Sequence, residues 1–167
     1  VIDRIKAKPL GFVPGTKWSY SNGNFMVAGY AIEQVSGQSY EQFLQKHIFA
    51  PLGMTDTGYV HDDSGLAVGY GIGSTPEVRL DTLLPFAAAG FYSPVADLNL
   101  YSQALSDGRL LARQSLDAFF GLHKQVGAAG GFSAGYQPPV YYGYGWAIAS
   151  YDGHRMIGHD GWIEGYS

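Results

Sequence analysis

Two segments in the first third of the chain place apolar residues at helical spacing. In the first segment these residues recur every three or four positions: Phe25, Ala28, Ile32 and Val35. This period predicts a helix over about 24–36 that ends at Gly37. The second segment opens with Ser39-Tyr-Glu-Gln42, which has the pattern of a capping box, and predicts a helix closed by Pro51 and Gly53.

The middle of the chain predicts two further helices. Ser93-Pro94 is a strong start signal, with Ser93 as N-cap and Pro94 as the first helical residue. The apolar residues that follow it form one stripe and are expected to be buried: Leu98, Tyr101 and Leu105. Gly108 is expected to end this helix, and a short helix is predicted from Ser115 to Leu122.

The remaining segments predict loops and a small sheet. Residues 1–19 are broken by prolines and glycines and predict irregular backbone, residues 53–92 predict loops with short strands, and 126–139 predict a loop. Val140–Ser150 is rich in Tyr, Trp and Ile, and Asp152-Gly153 after it is a two-residue hairpin turn. A second strand at Arg155–Gly158 and a third near Ile163 complete the predicted sheet.

Together these elements predict an α+β fold. A mostly helical lobe covers about residues 1–139, and an antiparallel hairpin begins a sheet over about 140–167. A length of 167 residues fits one domain with a real core. No internal repeat divides the chain.

Composition narrows the classes of partner and cofactor. The net charge of −4, without any run of Lys or Arg, argues against nucleic acid. The chain has no cysteine, and His47, His61, His123 and His154 lack paired ligand spacing, so neither a metal nor another cofactor is predicted. No apolar run reaches the roughly 18 residues that a membrane span needs. The composition leaves the oligomeric state open.

Two short motifs carry the candidate chemistry. Tyr20-Ser-Asn22 lies within Pro14–Asn22, and His159-Asp-Gly161 lies within Ile157–Gly161. They resemble two of the three motifs of the serine β-lactamase and penicillin-binding-protein superfamily, specifically its class C and esterase-like branch. Four further segments occur in that family's order at plausible spacings: Phe25–Gly37, Tyr40–Gly58, Ala88–Leu105 and Tyr142–Trp146. The resemblance therefore covers most of the chain and implies the fold of a β-lactamase-like helical lobe.

The third motif of that family, Ser-x-x-Lys, is absent from this sequence. None of the five lysines has a serine three residues before it. The chain is thus expected to be the central part of a serine hydrolase, missing the nucleophile and inactive alone. The chain also stops where a strand is predicted to begin, which suggests an incomplete domain. The resemblance favours a periplasmic or secreted location, while the composition leaves the cytoplasm open.

The resemblance implies that Tyr20 and Asn22 are catalytic residues. Tyr20 is expected to carry the proton, because a tyrosine can act as a base where a nearby cation, here the missing lysine, lowers its pKa from about 10. Asn22 is expected to offer its amide to the substrate carbonyl and to that lysine, with Ser21 as a spacer. The resemblance thus implies a small-molecule or peptide substrate as the partner. The expected reaction is acyl-enzyme hydrolysis of an ester, an amide or peptide, or a β-lactam.

The second motif is expected to bind substrate through His159, Asp160, Gly161 and Trp162. His159 stands where related enzymes carry the lysine of Lys-Thr-Gly, Gly161 leaves room for substrate, and the backbone N–H of Trp162 would donate to the oxyanion. A lysine reads a substrate carboxylate as a point charge, whereas a histidine carries little charge at pH 7. The substitution favours an ester or amide substrate over efficient penicillin hydrolysis.

Each motif also has an ordinary structural interpretation. Tyr20 could be a core residue with Asn22 as a helix N-cap, 159–161 could be only the end of a hairpin, and the Tyr141–Tyr144 cluster is interpreted as strand packing or cleft wall. Gly131-Phe-Ser-Ala-Gly135 matches the nucleophile elbow of another hydrolase class, but its flanks predict neither the strand nor the helix that an elbow needs. The alternative function is a non-catalytic binding module that retains the fold.

Overall fold

A computed structural model describes residues 2–59, 65–70, 86–126, 137–161 and 165–166. Its helices in chain order are α1 (Ile2–Lys6), α2 (Asn22–Ser36), α3 (Tyr40–Leu44), α4 (Ala50–Leu52), α5 (Val95–Ser106) and α6 (Arg113–Phe119). Its strands are β1 (Gly58–Tyr59), β2 (Phe91–Tyr92), β3 (Lys124–Val126), β4 (Gln137–Tyr142), β5 (Ala147–Tyr151) and β6 (His154–Gly158). The predicted strand near Ile163, the possible elbow at Gly131–Gly135 and Trp162 lie outside the described residues.

Helix α2 begins two residues before its predicted start. Ser21 is the N-cap in extended conformation, and the backbone N–H of Asn24 donates to the carbonyl oxygen of Ser21 over 3.1 Å, which closes the first turn. The predicted end is confirmed, because Gly37 has a φ of 68° and its N–H donates to the Glu33 carbonyl oxygen over 3.0 Å. A glycine adopts this left-handed conformation without steric cost.

The capping box at the start of α3 is confirmed. The Gln42 N–H donates to the Ser39 hydroxyl oxygen over 3.2 Å, and the Ser39 N–H donates to the Gln42 side-chain oxygen over 3.1 Å. A π-helical turn over Gln45–Phe49 joins α3 to α4, and Gly53, at a φ of 74°, ends the helical run as predicted.

Helix α5 corrects two expectations about its start and its buried face. The N-cap is Pro94, not Ser93, because the Ser93 hydroxyl lies 2.8 Å from the Thr57 hydroxyl and makes no capping bond. Leu98 is 52% exposed, so it is not part of a buried stripe. Asp97, only 4% exposed, lies on the buried face instead, beside the loop before β1.

Two other helices also differ from the sequence-based expectation. The lead-in is not wholly irregular, since α1 closes a short helix through bonds such as Ala7 N–H to Asp3 O, 3.1 Å. Helix α6 begins at Arg113 and ends at Phe119, earlier than predicted at both ends. Its last turn is closed by the Phe120 N–H, which donates to the Leu116 carbonyl oxygen over 2.9 Å.

The sheet is larger than the predicted hairpin. Four antiparallel strands lie in the order β3-β4-β5-β6, and the segment predicted as one strand from 140 to 150 is divided by a turn at 143–146 into β4 and β5. The turn forms because the Gly143 N–H donates to the Trp146 carbonyl oxygen over 2.8 Å. The turn predicted at Asp152-Gly153 is confirmed, with positive φ at both residues (48° and 76°).

Two apolar clusters form the core. The first joins the helices to β1: Leu44, Phe49, Leu52, Met54, Tyr59 and Ala104. The second lies on the sheet and packs against Trp18: Val126, Val140, Tyr142, Ala147 and Ala149. The second cluster connects the segment before α2 to the sheet. Within the described residues, no helix is both long and apolar enough to cross a membrane.

Candidate functional site

Tyr20 and Asn22 lie where irregular backbone enters α2. The Tyr20 hydroxyl donates to the Asn22 side-chain oxygen over 3.1 Å. Tyr20 is 42% exposed and Asn22 is exposed, so neither side chain is a core residue. Asn22 is the first residue of the helix and not its N-cap, a position that Ser21 occupies. The two side chains form one polar pair at the surface.

His159, Asp160 and Gly161 directly follow the end of β6. The His159 Nδ1 atom lies 2.6 Å from the Asp160 carbonyl oxygen. Because a carbonyl oxygen can only accept a hydrogen bond, Nδ1 carries the proton, and Nε2 is an acceptor in the neutral ring. A side chain added at Gly161 would meet none of the described atoms within 4 Å, so this backbone faces open space.

The structure brings the two motifs together although 139 positions separate Tyr20 from His159. Their ring centroids are 5.8 Å apart, with an angle of 33° between the ring planes. A phenol hydroxyl, a carboxamide and an imidazole therefore lie at one exposed surface. Such a set can accept, donate and relay protons to a bound molecule. Asp160 and Gly161 extend the same surface.

Two aromatic residues that the sequence did not assign to the site lie behind it. Tyr142 contacts Tyr20 edge-on, with centroids 6.4 Å apart and planes at 89°, and it contacts His159 at 6.1 Å and 73°. Trp18 also packs against Tyr142, with ring centroids 5.4 Å apart. Both residues lie in segments of the sequence that resemble the family, which was a sign that they could belong to the site. No local sequence pattern showed that Trp18 and Tyr142 contact each other.

Tyr142 is buried, whereas Tyr20, which it contacts, is exposed. Its side chain is 8% exposed, and this burial, followed by the effect of nearby Tyr20, raises the pKa of Tyr142 to about 12. Its hydroxyl therefore keeps its proton throughout the neutral range. Of these two tyrosines, the exposed Tyr20 is the one that a substrate can reach.

The start of α2 lies close to the turn between β4 and β5. Gly145, in this turn, has a φ of 84°, and a Cβ atom there would lie 3.2 Å from the ring of Phe25. Phe25 lies in the first turns of α2, three residues after Asn22. A side chain at position 145 would strain the left-handed backbone and would require the Phe25 ring to shift by a few tenths of an ångström. The contact shows that the helix start next to the Tyr20–Asn22 pair lies against the sheet.

Two of the other histidines pack against aromatic rings. His47 lies 4.4 Å from the Phe43 ring, and His123 stacks on Tyr144 at 4.5 Å. In the part of the chain that the structure describes, no group of three His, Cys, Asp or Glu residues could hold a metal ion. His61 lies outside that part.

Comparison with known proteins gives consistent results. A penicillin-binding protein of Bacillus subtilis, PbpX, is 35% identical over 127 residues, which cover 72% of this chain and 32% of the relative. A D-aminopeptidase of Brucella anthropi is 29% identical over 167 residues, which cover 96% of this chain and 30% of the relative. A D-stereospecific amidohydrolase from Streptomyces matches in structure with a TM-score of 0.75 and 30% identity, covering 95% of this chain and 47% of that one.

The chain matches only part of each curated relative. The chain spans about a third of the length of the curated relatives. The described α+β architecture is consistent with that of these hydrolases. The β-lactamase family model matches residues 1–167, which is the whole chain. This protein chain therefore belongs to the β-lactamase family.

Proposed function

We propose that this chain provides the proton-transfer and substrate-binding part of a serine hydrolase that works through an acyl-enzyme. The observation that carries this proposal is the placement of Tyr20 beside His159, with the Tyr20 hydroxyl bonded to Asn22. Three polar groups from two distant segments converge at an exposed surface. Its relatives bear the names of a penicillin-binding protein, a D-aminopeptidase and a D-stereospecific amidohydrolase.

Tyr20 is the proposed proton carrier. In the acylation step Tyr20 would first be ionised to a phenolate by the nearby lysine of the Ser-x-x-Lys motif, and the phenolate would accept the proton of the attacking serine hydroxyl as the serine oxygen bonds to the substrate carbonyl carbon. The phenol would then donate that proton to the leaving group as its bond to the carbonyl carbon breaks, which restores the phenolate. The serine and its lysine would come from a Ser-x-x-Lys segment outside these 167 residues. Because the Asn22 side-chain oxygen accepts from Tyr20, its amide nitrogen is the end that can donate to a substrate carbonyl.

The segment after β6 is the proposed substrate edge. The open space at Gly161 allows an extended substrate to lie along the backbone. The N–H of Trp162, together with that of the serine, would bind the oxyanion that forms during attack. His159 and Asp160 would border the bound substrate. His159 lacks the fixed positive charge of a lysine, so this position does not favour a substrate carboxylate.

The proposed substrate is an amide or ester, and most specifically an amide next to a D-amino acid. The absence of a fixed cation at position 159 argues against efficient hydrolysis of penicillins, whose recognition uses their carboxylate. Two relatives carry D-specific amide hydrolysis in their names. The competing candidate is a binding module without catalysis, which the missing Ser-x-x-Lys in this sequence favours.

A labelling experiment separates the two candidates. The full-length protein is incubated with a serine-directed fluorophosphonate, and the labelled peptide is identified by mass spectrometry. Stoichiometric labelling of the serine of a Ser-x-x-Lys segment is expected, and the 167-residue chain serves as the unlabelled control. Paired D- and L-amino acid p-nitroanilides then test the substrate class. A full-length protein that is neither labelled nor active on amides or esters would support the binding module.

A further inference from the structure

We propose that Tyr142 is a positioning residue that holds Tyr20 and His159 in one fixed arrangement. This inference rests on the proposed function for its catalytic consequence, and on the ring contacts for its geometry. The Tyr142 ring touches the rings of both residues edge-on, at centroid distances of 6.4 Å and 6.1 Å. Edge-to-face contacts of this kind are directional as well as attractive.

The two residues that face the surface lie outside the regular helices and strands. Tyr20 lies on irregular backbone before α2, and His159 lies on irregular backbone after β6. Both are exposed, so packing restrains each on one side only. Tyr142, by contrast, is buried on β4, a strand that pairs with β3 on one side and β5 on the other.

The register of the sheet explains how one side chain reaches both residues. Tyr142 pairs with Ala147 on β5, and Ala147 pairs with Gly158 on β6, so the three residues form one row across the sheet. Side chains in such a row lie on the same face. A methyl group at 147 and no side chain at 158 leave that face open, and the tyrosine ring fills it beside His159.

Trp18 links Tyr142 to the segment that carries Tyr20. The Trp18 ring packs against Tyr142 at 5.4 Å, and Trp18 precedes Tyr20 by two residues. Tyr142 thus supports the segment that carries the proposed proton carrier as well as the segment that carries His159. Replacing its flat ring with the flexible, smaller side chain of methionine should keep part of the core filled but release both neighbours.

The first test measures geometry and needs no catalysis. In the full-length wild-type protein, nuclear Overhauser effects are expected from the Tyr142 ring protons to the ring protons of Tyr20 and His159. In Tyr142→Met the effect between Tyr20 and His159 should weaken or vanish, while in Tyr142→Phe it should persist. Absence of the wild-type effects, or an unchanged Tyr20–His159 effect in Tyr142→Met, would overturn the proposal.

The second test measures turnover on an amide or ester substrate. A misplacement of about 1 Å can lower turnover by roughly 10²-fold, so Tyr142→Met is expected to lose kcat on that order, with a smaller change in KM. Tyr142→Phe should keep kcat near wild type, because the ring and not the hydroxyl does the positioning. Tyr141→Met is the matched control, since this neighbour on the same strand points to the other face of the sheet.

The outcomes separate this inference from the proposed function. If Tyr142→Phe loses as much kcat as Tyr142→Met, or if Tyr141→Met is equally damaging, positioning by the ring is wrong. If Tyr20→Phe leaves turnover unchanged, the proposed role of Tyr20 fails, while the nuclear Overhauser measurements still decide the geometry. Should Tyr142→Met fail to fold, the wild-type effects and the Tyr142→Phe variant decide it alone.

Discussion

Replacing the buried carboxylate of Asp97 should destabilise the helical part of the fold strongly. Asp97 is 4% exposed and accepts hydrogen bonds from the Asp56 N–H, over 3.0 Å, and from the Thr57 hydroxyl, over 2.8 Å. It also lies in the first turn of α5, where a negative charge complements the helix dipole. These bonds join two segments that are 40 residues apart.

The magnitude follows from the two bonds that are lost. A hydrogen bond to a charged group contributes about 1.5–3 kcal/mol, and relief of the carboxylate's desolvation offsets part of the loss. Asp97→Ala should therefore lower the free energy of unfolding by about 2–4 kcal/mol. The free energy of unfolding of Asp97→Asn should lie between those of Asp97→Ala and wild type, because the asparagine side-chain oxygen can still accept one of the two hydrogen bonds.

Urea denaturation of the full-length protein, followed by circular dichroism, measures this effect. Asp117→Ala is the control, because Asp117 forms an exposed pair with Arg113 on one helix, with 3.1 Å between the charged atoms. Such pairs contribute about 0.3–0.5 kcal/mol. A loss of stability in Asp97→Ala no greater than that in Asp117→Ala would refute the argument that the buried carboxylate joins the two segments.

Three further predictions concern the site and its surroundings. In the full-length protein, His159→Lys should raise penicillin turnover relative to ester turnover, because it places a compact positive charge where the substrate carboxylate would lie. An unchanged ratio in steady-state kinetics would show that this position does not set substrate class. The 167-residue chain alone should hydrolyse neither nitrocefin nor p-nitrophenyl esters above background, and labelling of Ser133 by a fluorophosphonate would contradict this. Burial raises the pKa of Tyr142 from 10.0 to about 12, so between these pH values the hydroxyl keeps its proton in the folded state and loses it in the unfolded state. The stability that this difference gives the folded state is lost as pH rises from about 10 to 12. The free energy of unfolding, measured by denaturation across that pH range, should fall more steeply with pH in wild type than in Tyr142→Phe. Equal slopes in the two proteins would be inconsistent with the raised pKa.

The parts of the fold that were predictable from sequence are those set by neighbouring residues. The helix end at Gly37, the capping box from Ser39 to Gln42 and the turn at Asp152-Gly153 all depend on contacts within a few residues. Ser93 was a plausible N-cap by the same local logic, and it failed because its hydroxyl contacts Thr57, 36 residues away. Local propensity gives way where a distant partner competes for the same atom.

Strand β3 and the burial of Asp97 had no local signal. Two of the three residues of β3 are exposed and polar, and the strand exists because Val126 pairs with Val140 on β4. Asp97 occupies a position on the helix where an apolar residue would be expected, and its partners come from the loop before β1. In both cases a long-range partner, absent from any short window of sequence, determines the structure.

The candidate site was predictable only through the family resemblance. Neither the spacing nor the periodicity of Tyr20 and His159 indicates that they meet, since 139 positions separate them. The motifs implied a shared site, and the structure places the two rings 5.8 Å apart. The contribution of Tyr142 could not be inferred in advance, because it depends on the register that aligns Tyr142, Ala147 and Gly158.

The turnover of Tyr20→Phe tests the central claim most directly. The substitution removes one exposed hydroxyl, so the melting temperature should stay close to that of wild type. If Tyr20 carries the proton, kcat on an ester substrate in the full-length protein should fall by about 10²–10⁴-fold. Tyr144→Phe, which removes the hydroxyl of another exposed tyrosine, is the control and should retain activity. Turnover of Tyr20→Phe equal to that of Tyr144→Phe would contradict the account.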